Sequence, residues 1–327
     1  MWWIEGLSVP IPALLFGLWV VLALAMHAVV WLDGITSVWQ IDQRLLLVSS
    51  WVPYCLGLIY YLKNTAGAAL PAFRPALDMA DDAFETLRYE FTVLPKRGVL
   101  ISNAIGVLMT YVSLRMFPES AQPFMDTPRA EVVNMGIAMA GMALTWSTIY
   151  LTFRQLRLIR RTYSQAANLD LFRANQLYAF SALTLRLGLG WLIINYAGAL
   201  VYPALLRNLL WAGIGGVVFL GIVLAFVTTL FDIHARIRDV KAQHMEEIDQ
   251  RLHSAFTDLH QHIDAGDTAK VTALRETMEA LLVERGMVVK LPTWPWQPGT
   301  LVSFLTAVLL PLLVWAMQAL LQRVLGL

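Results

Sequence analysis

Residues 208–231 read NLLWAGIGGVVFLGIVLAFVTTLF, and residues 232–263 continue as DIHARIRDVKAQHMEEIDQRLHSAFTDLHQHI. The first stretch carries no charge, and a helix needs about 20 mostly apolar residues to span the hydrocarbon core of a bilayer. The second is densely charged yet keeps an apolar stripe of Ile237, Val240, Met245, Ile248, Leu252, Phe256, Leu259 and Ile263. A stripe of that kind marks a solvated helix with one face to bury. Together they predict a membrane crossing that runs on as a helix beyond the membrane.

The rest of the chain agrees with that reading. Of 327 residues, 58% are hydrophobic and 14% charged, whereas a soluble domain carries about a quarter charged residues. Long apolar runs with at most one charge place crossings at 10–31, 45–62, 98–117, 131–153, 179–202, 208–231 and 299–322. The fold class is therefore all-α, a polytopic membrane bundle with seven transmembrane helices. The N-terminal Met-Trp-Trp-Ile-Glu has no basic residue, so 10–31 is read as a retained first helix rather than a cleaved signal. Pro53 interrupts the second crossing, which is tolerable where neighbours satisfy the freed carbonyl.

Lysine and arginine set the orientation. The connections 63–97, 154–177 and 233–298 hold eighteen of them, and the opposite side holds only Arg44, Arg129, Arg207 and Arg323. The long basic loops are thus expected in the cytoplasm, the N-terminus inside and the C-terminus outside. Trp2, Trp3, Trp31, Trp211, Trp294 and Trp296 fall at the expected interfaces, where amphipathic rings anchor helices. The chain divides into 1–62 (two crossings), 63–97 (a loop with an amphipathic helix), 98–232 (crossings three to six), 233–298 (a helical hairpin and Pro/Trp linker) and 299–327 (the last crossing).

In the first cytoplasmic loop, Leu77, Ala80, Phe84, Leu87, Phe91 and Leu94 form a stripe opposite acidic residues. Pro75 suits the first turn of that helix and Pro95 its end. The extension at 232–263 is its expected partner. Asp264-Ala-Gly-Asp267 should break that extension, Asp267 or Thr268 should cap a second helix bearing Val271, Leu274, Met278, Leu281 and Leu282, and Gly286 should close it. The linker Lys290-Leu-Pro-Thr-Trp-Pro-Trp-Gln-Pro298 then delivers the chain to the last crossing.

Candidate chemistry is sparse. Five of six histidines lie between His234 and His262, and Asp249, His253, His260 and Asp264 share a face. Imidazole and carboxylate could hold a metal or titrate near neutrality, but a water-facing stripe accounts for them equally, and no metal is assigned. Arg186 is a charge inside the fifth crossing, either functional or snorkelling to the boundary. His27, Asn103, Asn134 and Asn195 suggest interhelical hydrogen bonds, and Gly136, Ala140 and Ala143, like Ala212 and Gly216, suggest close packing. Cys55, the only cysteine, reads as a small buried hydrophobe. On the last crossing Thr300, Ser303, Thr306, Gln318 and Gln322 fall on one face completed by Ala307, Leu310 and Val314. A weakly polar face with an apolar middle suits a pore with a hydrophobic constriction; bonding to a neighbouring helix is the alternative.

No phosphate-binding loop, dinucleotide fingerprint or nucleophile elbow is present, which argues against an enzyme and against a cofactor. A formal net charge of +1 gives no field for nucleic acid. In topology, the layout resembles the seven-helix ion channels of the insect odorant and gustatory receptor type. That resemblance implies an N-terminus inside, later helices extended into a cytoplasmic anchor, and a last helix split into a cytoplasmic piece, here 268–286, and a pore-lining piece, here 299–322. None of that family's characteristic C-terminal residues is found, so no site is carried over. The chain also looks like prokaryotic multi-pass membrane proteins with a Trp-Pro-Trp stretch before a C-terminal helix. The expectation is an oligomeric channel in the plasma membrane, or cell inner membrane, in contact with its lipids. The alternatives are a sensor or scaffold that binds a cytoplasmic protein, or a transporter.

Overall fold

A computed structural model describes residues 10–116, 125–166, 170–173, 176, 178–201 and 209–294, with 299, 302 and 306. Among the described residues the secondary structure is helical, without strands. In chain order the helices are α1 (Ile11–Leu32), α2 (Gln43–Phe73), α3 (Asp81–Thr92), α4 (Lys96–Met116), α5 (Pro128–Ser164), α6 (Ser181–Val201), α7 (Leu209–Asp264) and α8 (Thr268–Lys290). Four helical segments, Ile11–Leu32, Gln43–Ala76, Asp81–Ser113 and Pro128–Ser164, are long and apolar enough to cross a membrane. Only 17–33% of each apolar window is buried inside the single chain. A helix in water hides its apolar stripe; these leave most of theirs outward, as a bilayer solvent requires.

Local chemistry fixes the helix ends. Pro12 sits in the first turn of α1, where a missing N–H costs nothing. Asp42 caps α2 by accepting the Arg44 backbone N–H, and Thr127 caps α5 by accepting that of Ala130. Burial pushes the Asp42 carboxyl up, but the Arg44 side chain and backbone N–H outweigh it, and its pKa lies below the ordinary carboxylate value. At the same end of the bundle, Asp33 joins α1 to α5 through Thr127 and Arg129. His27 donates from Nδ1 to the Ala23 carbonyl and accepts the Asp42 N–H at Nε2, 3.1 Å away.

α2 and α5 form the middle of the bundle; α1 packs on both, α4 on α5, α6 on α2, and α7 on α5. The α4–α5 approach is close because a Cβ on Gly106 would lie 2.8 Å from the Met142 carbonyl and 3.0 Å from Ala143 Cα. Polar side chains join the helices. Ser147 donates to Asn103 at 2.5 Å, Tyr54 to the Gly190 carbonyl at 2.6 Å, and Trp191 to Thr152 at 3.0 Å. Asn195 differs from the sequence reading: its amide donates to the Trp191 carbonyl one turn back in its own helix. Among the described residues, Gly136 and Gly216 meet no other residue of this chain, so any close packing they permit is with another molecule.

The largest buried core lies at the basic end, where α2 and α5 finish and α6 begins. Phe73, Phe91, Tyr163 and Phe180 meet there, with ring centroids 4.7–5.8 Å apart. This core reorders the first loop. α2 continues through Lys63 to Phe73, Pro75 falls in a single 3-10 turn (Arg74–Ala76), and the amphipathic helix starts only at Asp81. Its stripe of Phe84, Leu87 and Phe91 packs first on the end of α2 and then on α5. The extension of α7, the expected partner, joins the same core only through Ile233, Ile237 and Val240.

α7 is one unbroken helix of 56 residues, about 84 Å at 1.5 Å per residue. It ends as the sequence predicts. Gly266 adopts φ +72°, which favours glycine, and Asp267 caps α8 through the Lys270 N–H. Gly286 does not close α8, which runs on to Lys290.

Candidate functional site

Beyond Val240, α7 and α8 form an antiparallel hairpin. The covered positions on α7 are Lys241, Met245, Ile248, Leu252, Ala255, Leu259 and His262. On α8 they are Val271, Leu274, Met278, Leu281 and Val288. Spacings alternate between three and four, apart from a gap at 285, where Arg285 reaches across to Asp249 at 2.8 Å. A 3.5-residue period keeps a seam facing its partner along the whole helix, so the hairpin is a short coiled coil.

The end of α8 is fastened to α7 near the basic end of the bundle. The last carbonyls of a helix have no intrahelical donor. Here Lys241 supplies one, with Nζ 2.7 Å from the Val289 oxygen and 2.8 Å from that of Leu291. Val288 is buried and Leu291 packs against the basic-end core. One step further, the Trp294 ring stacks on His234 at 4.3 Å with planes 16° apart, and His234 Nδ1 donates to the Thr293 carbonyl at 3.0 Å. Phe231 meets the other side of this junction, edge-on to Trp294 at 5.8 Å. The start of the Pro/Trp linker is therefore latched to α7 where its charge-free stretch ends. The sequence marked Trp294 as an interfacial anchor; Lys241 and His234 had no separate signal, because each is one polar residue among many on a charged helix.

Of the expected pore-facing residues, Thr306 is helical and exposed. Thr300, Ser303, Leu310, Val314, Gln318 and Gln322 lie outside the described residues, as does most of 299–322. His253 lines an open groove on α7 of about 770 Å³ with Met245, Glu246, Asp249, Gln250 and Thr257. His260 turns away to bond the Phe256 carbonyl at 2.9 Å, and Asp249 is engaged by Arg285. The shared face is thus not a converged ligand set, and among the described residues no three His, Cys, Asp or Glu side chains come together to hold a metal.

Arg186 lies at the edge of the bundle between α2 and α6. Its Nη1 donates to Thr65 Oγ1 at 2.7 Å, and its Cζ sits 4.9 Å from the centroid of the Tyr61 ring. Tyr61 and Thr65 flank Lys63, so the guanidinium is level with the basic residue nearest the basic end of α2's apolar run. Trp191, five residues further along α6, meets Thr152 on α5, two residues before Arg154. The charge therefore stands about 7.5 Å nearer the basic end than that contact, at 1.5 Å per residue. Arg186 thus lies toward the basic end of α6, beside the part of α2 that carries Lys63.

Gln155, one turn from Thr152, was not marked by the sequence reading. It is fully buried, and neither side-chain amide atom has a partner. No family model, curated protein or solved structure matches the chain.

Proposed function

We propose that this multi-pass membrane protein is an oligomeric ion channel whose last crossing, 299–322, lines the pore and whose coiled-coil hairpin sets the position of that crossing. The observation that carries the reading is the latch: Lys241 on the end of α8, and His234 on Trp294. A movement of the hairpin is passed to the linker through groups that are bonded and stacked, not through a slack loop. Seven crossings, with the N-terminus inside and the basic end in the cytoplasm of the plasma (inner) membrane, complete the arrangement. It needs no enzyme chemistry, cofactor or nucleic acid. The polar face of Thr300, Ser303, Thr306, Gln318 and Gln322, with Leu310 and Val314 at its middle, is the conducting surface in this reading.

Single-channel recording of the purified protein in planar bilayers tests it. Discrete conductance is expected, and Ser303→Cys should be blocked by a membrane-impermeant thiol reagent. An electrically silent protein under all voltages and pH values, with an unlabelled Ser303→Cys, would overturn it. A sensor or scaffold is the second reading. It is favoured by Leu282, Val283 and Met287 on α8, all more than half exposed, which offer a cytoplasmic partner an apolar surface. Deleting 267–286 should then abolish capture of that partner while the crossings still insert.

A further inference from the structure

Five neighbouring arginines at the basic end have protein acceptors. Arg160 pairs with Asp232, Arg161 with Glu90, and Arg173 with Asp170, while Arg154 donates to the Val93 carbonyl and Arg236 to that of Ala166. Arg186 has only the Thr65 hydroxyl and the face of Tyr61. Among the described residues no carboxylate or carbonyl accepts its other N–H groups. A guanidinium carries five donors in a planar fork, remains charged, and is costly to desolvate without an anion.

The approach to it is open. Tyr61 is 48% exposed on the outer surface of the bundle, and Arg186 itself is only half-buried. The ring beneath and the hydroxyl beside it fix the guanidinium, so little side-chain freedom remains to be lost on binding. The anion present at this depth and on this face of a membrane helix bundle is the phosphate of a phospholipid, whose oxygens match the arginine fork. We propose that Arg186, braced by Thr65 and Tyr61, binds the headgroup phosphate of a membrane phospholipid where α6 packs on α2. The acyl chains would lie along the lipid-facing surface above it. The proposal rests on the reading of α6 as a crossing, which thiol labelling on either side of α6 tests separately.

The test is a lipid titration of the detergent-solubilised full chain, followed by native mass spectrometry. The probes are phosphatidylglycerol, diacylglycerol with the same acyl chains, and inorganic phosphate as competitor. The first-bound phosphatidylglycerol should bind wild type roughly tenfold more tightly than it binds Arg186→Gln, and diacylglycerol should bind both equally and weakly. Arg186→Lys keeps the charge but loses the fork, and should fall between them. Wild-type affinity in an Arg186→Gln protein of unchanged melting temperature would overturn the proposal. So would equal binding of diacylglycerol. Displacement by millimolar inorganic phosphate would show a free-phosphate site and overturn the assignment to lipid. Should Arg186→Gln not fold, Arg186→Lys decides alone: a several-fold loss is expected, and no loss contradicts the proposal.

Discussion

The basic-end core and the hairpin that projects from it are both built from amphipathic helices, yet they are held together differently. In the core, Phe73, Phe91, Tyr163 and Phe180 are each at most 2% exposed, and they come from α2, α3, α5 and the approach to α6. Every ring is covered from several directions. Among the described residues, each helix of the hairpin beyond Val240 has the other as its packing partner. Its seam residues are mostly half-covered, and Phe256, Ile263, Leu282, Val283 and Met287 are more than half exposed. In the proposed channel the same periodicity would give a rigid platform where several stripes converge and a compliant lever where only two meet. An account in which the lever moves and the platform stays still needs that difference.

The comparison can be broken most severely at Phe180. Phe180→Ala leaves a cavity shared by three other rings and should cost about 3–5 kcal/mol, read as a large fall in the thermal midpoint of the detergent-solubilised protein. A fall of a degree or less would mean that the aromatic cluster is not the platform. Leu252→Ala, in the half-covered seam, should cost about 2 kcal/mol, at the low end for such truncations. Its effect should be confined to the hairpin: amide exchange should quicken over 241–290 and stay unchanged over 151–163. Acceleration in both regions would show that the two fold as one unit. Lys241→Gln removes the donor at the end of α8 and should cost about 1 kcal/mol. The signature is local, with faster exchange at 286–291 and no acceleration at 151–163; unchanged exchange at 286–291 would mean that Lys241 does not hold the end of α8. Smallest of all, Asp249→Asn breaks the Arg285 pair, whose side chains are about half exposed. Such a pair contributes roughly 0–1 kcal/mol, so a midpoint shift beyond a degree or two would assign it more than a surface role.

The sequence made the helices legible where composition alone decides them. Long apolar runs located α1, α2, α4 and α5, and Asp264-Ala-Gly-Asp267 located the hairpin turn, because a positive φ at Gly266 and a cap at Asp267 are local requirements. It misread what depends on a partner. Phe256 and Ile263 were assigned to the buried stripe, but the seam follows a 3.5-residue period and passes through Ala255 and His262 instead. Hydrophobicity points to the larger neighbour; geometry selects the position. Gly286 was read as a stop, yet the seam continues to Val288, and that burial outweighs the roughly 1 kcal/mol a glycine costs inside a helix. Pro75 was placed in the first turn of the loop helix, but α2 runs on to Phe73 to complete the aromatic core, which pushes that helix to Asp81. Arg186 is visible in the sequence as a charge, while its partners Thr65 and Tyr61 depend on how α6 packs against α2.

Sidedness is the measurement that bears most directly on the whole account, because the platform, lever and latch acquire a function only if the basic end and the Asp33–Asp42 end lie on opposite faces of one membrane. Cys55 is the only cysteine and is buried, so Cys55→Ala gives a background without reactive thiols. Single cysteines at Ser37 and Thr257 are then exposed to an impermeant maleimide in intact cells and again after permeabilisation. The account predicts that Ser37→Cys reacts in intact cells and Thr257→Cys only after permeabilisation. Labelling of both from the same side would contradict it.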